Sequence, residues 1–329
     1  MHKPHRISRR HFLQTASAGM LALAAPVFGQ SQNFPRGNLR IIVPVSPGGA
    51  ADLGARVVAA ELEKSLNKSV MVDNRPGGLF QLGMQAVMQA PADGHTLIHL
   101  HNSLASVQVV QKLFDLNKQL TPLTLNMETP MVLLVPGNSP FNTVTDLVSH
   151  ARDNPGKINY SSLGAGSIEH LKSAQLEKIA GFEAMMIPYR GGAEAIQGLI
   201  SNQVDFTLTA AIWGMNFASQ GQCKILAIFD PVRWEHLPDV PTMAEMGLNV
   251  PPLRFWGGFA VRADTPAPLV ERLHKELVAA GTAPGVAEKI RGGGMDVAVS
   301  RSPDEFRQLL DEEVRWMTEI ADELNLQLG

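Results

Sequence analysis

Apolar residues recur along this chain in two alternating rhythms: short β-rich runs, and longer stretches that carry one apolar stripe. Leu39–Val45 is the first run, and Asp52–Leu66 follows as a helix with Val58, Leu62 and Leu66 on one face. Val70–Asp73, a helix over Gln81–Gln89 and a strand over Thr96–Leu100 continue the alternation. Beyond Pro136 a second set reads as helix Thr145–Arg152, strand Ile158–Ser161, helix Ser167–Ala180, strand Ala184–Ile187 and helix Ala193–Ile200. Strands near Phe206–Thr209 and Ile225–Phe229 complete that set. The last part carries a strand over Phe255–Val261 and a helix opened by Thr265-Pro266 that runs to Ala280. Ser302-Pro303-Asp304-Glu305 predicts a capping box for the final helix, whose buried face holds Phe306, Leu309, Leu310, Met317, Ile320 and Leu324. Strands alternating with helices predict an α/β fold built on parallel sheets covered by helices.

The alternation breaks twice, near Asn126–Pro136 and near Asn249–Pro252. Two crossings predict a second lobe inserted into a discontinuous first one: residues 30–130 plus 253–329 form lobe 1, and residues 131–252 form lobe 2. A pair of crossings also makes a hinge, which suits a protein that closes on its ligand.

Residues 1–29 read as an address rather than as fold. Arg9-Arg10 precede an apolar run from Ala16 to Phe28, and Val27-Phe28-Gly29 puts small residues at the positions that precede a cleavage before Gln30. The arginine pair points to the twin-arginine export route, with the Sec route as the alternative. No later stretch reaches the roughly 18 apolar residues of a membrane-spanning helix, so the expected location is the periplasm. Loss of Lys3, Arg6, Arg9 and Arg10 leaves 24 of the 28 basic residues against 31 acidic ones. That balance disfavours nucleic acid as a partner. Cys223 is the only cysteine, so an intramolecular disulfide is excluded, and a small buried apolar role is expected for it.

Four strand-to-helix turns are rich in glycine or small residues: 46–52, 75–81, 162–167 and 189–193. In parallel sheets such turns lie at the carboxyl ends of strands, where ligands bind. Missing side chains let a ligand approach the backbone, and the free N–H groups of a helix start attract an anion. Each turn taken alone also fits a purely conformational need for glycine. Asp52 reads either as a first-turn acid or as a ligand-facing group, and His170 either as helix packing or as a ligand contact. Arg56 and Arg190 fit solvated or paired positions as well as ligand clamps. Enzyme motifs do not appear. Gly48-Gly49 lacks the dinucleotide spacing, no turn ends in Gly-Lys-Ser/Thr, and Glu169 stands where a nucleophile elbow around Ser167 needs glycine. His99 and His101 share one face of a strand but have no third metal ligand nearby. Neither a metal nor a cofactor is expected.

Taken in order, these turns resemble a known family, the Bug-type periplasmic solute-binding proteins that serve tripartite tricarboxylate transporters. The motifs that carry the likeness are Pro47-Gly48-Gly49-x-x-Asp52-x-x-x-Arg56, Val72-Asp73-Asn74-Arg75-Pro76-Gly77, Asp93-Gly94-His95-Thr96-Leu97 and Asn154-Pro155-Gly156-Lys157. Ser162-x-Gly164-x-Gly166-Ser167-x-x-His170-Leu171, Pro188-Tyr189-Arg190-Gly191, the run Leu237–Gly247, Trp256 and Glu313-x-x-Trp316 complete it. The resemblance implies a two-lobed periplasmic-binding-protein-like (type II) fold, each lobe a sheet flanked by helices, with a ligand cleft between the lobes. It also implies capture of a small organic carboxylate without turnover, delivery to membrane transporter subunits, and a monomer.

Carried over by position, the ligand-binding residues are Pro47, Gly48, Gly49, Asp52, Gly78, Phe80, Gln81, Ser162, Gly166, Ser167, His170, Tyr189, Arg190 and Gly191. Two departures stand out. Val45 occupies a position where the family usually has an aromatic residue, and Leu79-Phe80 replace family glycines. The added bulk points to a ligand of different size or to an aromatic acid, while two small-residue turns in each lobe suit a dicarboxylate held between them. A sensor subunit that presents its ligand to a membrane kinase is the alternative reading, and a small-acid enzyme the third.

Overall fold

The computed structural model describes residues 34–326, so the export-signal reading falls outside the described residues. Leu39–Val43 (β1) reads Leu-Arg-Ile-Ile-Val and is buried at every position but Arg40. Such a run suits a central parallel strand covered on both faces. It pairs in parallel with Val70–Asn74 (β2) on one side and with Thr96–His101 (β3) on the other. Ala50–Leu66 (α1) and Gln81–Met88 (α2) supply the crossovers. Beyond β3, Arg254–Arg262 (β9) joins antiparallel and is followed by the first part of Leu120–Pro136 (β4).

The second sheet hangs on the far end of β4. From Met131 onward β4 pairs antiparallel with Phe206–Ala210 (β7), and from Val132 with Cys223–Ile228 (β8). Asn159–Ser162 (β5) pairs in parallel with β7 and with Met185–Pro188 (β6). Helices Val144–Asp153 (α5), Ile168–Ala180 (α6), Gly192–Ile200 (α7) and Ala211–Ala218 (α8) connect these strands. The strand order is β2-β1-β3-β9-β4-β7-β5-β6, with β8 also on β4. One strand therefore belongs to both sheets. Its prolines mark where pairing changes. Pro122 sits at a register shift, and Pro130 is the last residue paired with β9 before β7 takes over. Proline has no N–H to give a ladder, so bulges and ends of pairing are the places where it costs least.

Residues 101–144, left without elements by the hydrophobic pattern, hold Asn102–Gln111 (α3), Leu116–Gln119 (α4) and the whole of β4. The pattern also misses α8 and Pro284–Gly292 (α10). Ala267–Thr282 (α9) and Pro303–Glu323 (α11) match the two expected terminal helices, with Phe306, Leu310, Met317 and Ile320 buried. Ser302 caps α11 by accepting the Glu305 N–H, whereas the Glu305 carboxylate turns to the N–H of Arg301. A full capping box forms instead at α5, between Thr143 and Asp146. Cys223 is buried in β8, and burial pushes its thiol up to about 11. Among the described residues no helix is long and apolar enough to cross a membrane.

Candidate functional site

The carboxyl ends of β1, β3, β5 and β7 converge on one cavity, joined by the amino end of the antiparallel β9. From the first sheet its wall takes Val45, Gly49, Ala50, Ala51, His101 and Phe255, and from the second Leu163, Glu169, Gly192, Thr209, Ala210 and Trp213. The enclosed space is about 40 Å³. At roughly 10–15 Å³ per water, that is room for about three. The two halves meet closely around it. Ser106 of α3 donates to the Gly166 carbonyl, and Gln111 Nε2 donates to the Ala165 carbonyl at 3.0 Å.

Helix starts form much of this wall. α1 begins at Ala50 after Gly49, α7 at Gly192 after Gly191, and α8 at Ala211 after Ala210, and none of the three carries a side-chain cap. The start of α6, by contrast, has its cap filled by Ser167. Uncapped first-turn N–H groups and the helix dipole together favour an anion. No lysine or arginine is among the wall residues, so the donors offered there are backbone N–H groups and neutral side chains such as the Trp213 indole.

Of the residues expected from the sequence, Gly49 stands in the wall. Pro47 and Gly48 are exposed beside it, and buried Gly191 faces Ser46 across the interface between the sheets. Asp52 is not among the wall residues. Its carboxylate accepts from the Gly48 N–H, from Arg56 Nε and from Asn74 Nδ2, each at 2.9 Å, and it is 4 % exposed. Burial alone would raise its pKa, but bonds from Arg56, Gly48 and Asn74 outweigh that and hold the carboxyl below its usual range. Asp52 thus clamps the first loop, and Arg56 is its partner.

The third loop is braced from within as well as from α3. Ser162 and Ser167 share a hydrogen bond of 2.9 Å, and the Gly166 N–H goes to His170 Nδ1 at 3.0 Å. Burial lowers the His170 pKa, which suits a neutral acceptor. The Tyr189 ring lies against Gly198, and Arg190 is exposed with its N–H bonded to Glu194. Gly78 is exposed and Gln81 half-buried, both outside the wall.

Phe80 sits one layer behind the wall. It is 3 % exposed, and its ring meets the His101 ring edge-on at 5.1 Å. Leu79 and Phe80 have φ of 49° and 70°. Phe80→Gly relieves about 1–2 kcal/mol of left-handed strain but gives up about 3–5 kcal/mol of ring burial. Chemical denaturation is expected to show a net loss of about 2 kcal/mol, and a gain in stability would mean that strain outweighs packing.

Wall residues outside the glycine-rich turns, and not expected from them, are His101, Glu169, Thr209, Ala210, Trp213 and Phe255. His101 is 1 % exposed with neither ring nitrogen hydrogen-bonded, and burial pushes it down to about 3. Its neighbour on the same strand face, His99, bonds Asn126 Oδ1 through Nε2 at 3.0 Å and is held down to about 4 by burial. Glu169 is 8 % exposed and burial pushes it up to about 7.

Two sheets joined through a shared strand, with an anion-suited cavity between them, define a two-lobed binding protein of the periplasmic type II class. The chain belongs to the tripartite tricarboxylate transporter receptor family, whose profile matches residues 54–326. It is 33 % identical over 297 residues to a UPF0065 protein from the tcbD–tcbE intergenic region of Pseudomonas sp. strain P51, covering 88 % of this chain and 87 % of that protein. To protein BugT of Bordetella pertussis it is 28 % identical over 307 residues, with 92 % of each chain covered. Among solved structures, the periplasmic binding protein BugD superposes with a TM-score of 0.84 at 25 % identity, covering 89 % of this chain and 99 % of BugD. MatC from Rhodopseudomonas palustris with bound malate gives 0.82 at 26 %, covering 87 % of this chain and 99 % of MatC. A second R. palustris protein, with adipate, gives 0.84 at 26 %, covering 89 % of this chain and 98 % of that one.

Proposed function

We propose that this chain is a periplasmic receptor that captures a small organic carboxylate and hands it, without chemical change, to the membrane subunits of a tripartite tricarboxylate transporter. The observation that carries this reading is the cavity walled by the uncapped starts of α1, α7 and α8, with no cationic side chain in the wall. Malate and adipate in the two R. palustris relatives support the ligand class. Export with cleavage before Gln30 delivers the protein, which acts as a monomer. Residues 30–130 plus 253–329 move as lobe 1 and residues 131–252 as lobe 2, hinged at Pro130–Met131 and Leu253–Arg254. The cavity has room for about three waters, fewer than the heavy atoms of a four-carbon acid, so the lobes part for entry. Pro47, Gly48 and Gly191 form the closing rim, Gly49 binds the anion, and the remaining loop residues shape the turns.

Binding to the folded state alone adds about 2.7 kcal/mol at 100 times the dissociation constant. Thermal unfolding of the purified protein is therefore expected to rise with at least one of malate, succinate, adipate and benzoate, and not with matched neutral diols. A flat response to all carboxylates, in protein whose unfolding is cooperative, sinks the reading.

A further inference from the structure

Two buried side chains in the cavity wall have a chemistry that a simple dicarboxylate does not satisfy. His101 comes from the end of β3 and is held between Phe80, edge-on at 5.1 Å, and Phe255, stacked at 5.6 Å. Both of its ring nitrogens are buried without a hydrogen-bond partner. A buried polar atom left unpaired costs about 1–3 kcal/mol, so in a ligand site it marks a group that a ligand is meant to meet. Glu169 enters the same wall from the first turn of α6. Its carboxylate takes bonds from its own backbone N–H and from the Ser167 hydroxyl, and across the interface the Ser103 hydroxyl reaches it only at 3.5 Å, which leaves acceptor capacity for a ligand.

A neutral imidazole offers one N–H and one acceptor nitrogen, and a carboxylate offers acceptors only. Set beside the backbone donors of α1, α7 and α8, the pair makes a second pole of opposite sense. One end of the cavity's chemistry calls for an anion, and the other calls for an N–H or O–H donor. A second carboxylate placed against Glu169 meets like charge in a largely buried site, which disfavours it.

We propose that Glu169 and His101 are specificity-determining residues that select a monocarboxylate bearing a hydrogen-bond donor, such as a carboxamide, over the matching dicarboxylate. A primary carboxamide fits both groups, its N–H to Glu169 and its C=O to the His101 N–H. This rests on the carboxylate-receptor reading above and names the ligand class within it. Glu169 meets the Ser103 hydroxyl from lobe 1 and the Ser167 hydroxyl on its own side, and it shares the cavity wall with His101. His101 is pushed down to about 3, and the His170 pKa is also lowered by burial, so near neutrality Glu169 is the group whose charge changes.

The test is calorimetry on the purified protein with two matched pairs, succinate against succinamate and adipate against adipamate. At pH 8 the amide of at least one pair is expected to bind about tenfold tighter than its diacid. Glu169→Gln, which can donate as well as accept, should bring the two within about threefold. Lowering the pH from 8 to 6 should narrow the wild-type preference as Glu169 gains a proton, and leave the ratio in Glu169→Gln far less changed. A wild-type preference for the diacid at pH 8 overturns the inference but leaves carboxylate capture standing. An unchanged amide preference in a Glu169→Gln protein with the parent's melting transition overturns it equally. If none of the four acids binds wild type while other carboxylates do, the proposed ligand class is wrong. If no carboxylate binds at all, the receptor reading falls with it.

Discussion

Valine at position 191 should weaken carboxylate binding by about 100-fold or more while leaving the free energy of unfolding within about 1 kcal/mol of the parent. Gly191 has φ −179° and ψ 166°, extended backbone that any residue adopts, so a side chain there strains nothing locally. What a Cβ meets is the other lobe, with Ser46 Cβ and Ser46 N at 3.1 Å and Ser46 Oγ at 3.3 Å. Valine adds two further methyl groups to that contact, and the backbone nitrogen of Ser46 cannot yield without moving β1's loop. Closure is blocked, and with it the approach of α7's N–H groups to those of α1. Gly166 behaves differently. Its φ of +87° disfavours any side chain, and a Cβ would lie 2.9 Å from Val110 Cβ, so Gly166→Val should lose stability as well as binding. Calorimetry with adipate and chemical denaturation of both variants separate the two effects. Binding by Gly191→Val within about tenfold of wild type would place the closing contact elsewhere.

The difference between those two glycines shows what the sequence can and cannot carry. Glycine-rich turns at strand ends are visible, and all four lie at the junction between the two sheets. Which glycine is needed for a left-handed turn and which for close approach depends on φ and on a partner far away in the chain. Gly191 and Ser46 are an example. Trp213 and Thr209 escaped the search because β7 passes into α8 at Ala210 with no glycine to mark the turn. Glu169 escaped because it stands at an unspecified position of its motif, and only burial shows that its charge is out of place.

β4 was illegible for another reason. Three prolines in Leu120–Pro136 argue against a strand on local grounds, and only the change of partner at Pro130–Met131 explains why they are tolerated. The Glu313-x-x-Trp316 pair was visible as a motif without a stated role. In the fold, Trp316 lies 5.1 Å from Lys172 Nζ, a fully buried ammonium that also donates to the Pro251 carbonyl at 2.8 Å. α11 and α6 are thereby tied to the second crossing, with burial pushing Lys172 down to about 7.

Arg254→Leu should lower the free energy of unfolding by about 3 kcal/mol. Arg254 opens β9 just after the second crossing, and its guanidinium is shared by three carboxylates. Nη1 reaches Asp230 at 2.7 Å, Nε reaches Glu128 at 3.3 Å, and Nη2 pairs with Asp296. Asp230 follows β8 of the second sheet, whereas Glu128 and Asp296 are bridged to each other in the first, so one side chain holds both parts together. The arginine side chain is 29 % exposed and Asp230 only 10 %, which keeps solvent from replacing what is lost. Leucine retains much of the apolar stem but leaves three like charges facing one another, and that uncompensated charge is the larger part of the cost. Removing one of them should return part of it: Arg254→Leu with Asp296→Asn is expected to recover about 1 kcal/mol over Arg254→Leu alone. Urea denaturation reads both values, with the midpoint moving and the slope unchanged if the transition stays two-state. A loss below about 1 kcal/mol would mean that the cluster behaves as an exposed ion pair, and the two lobes would then owe their junction to β4 and to contacts such as Lys172–Trp316 and Ser106–Gly166 instead.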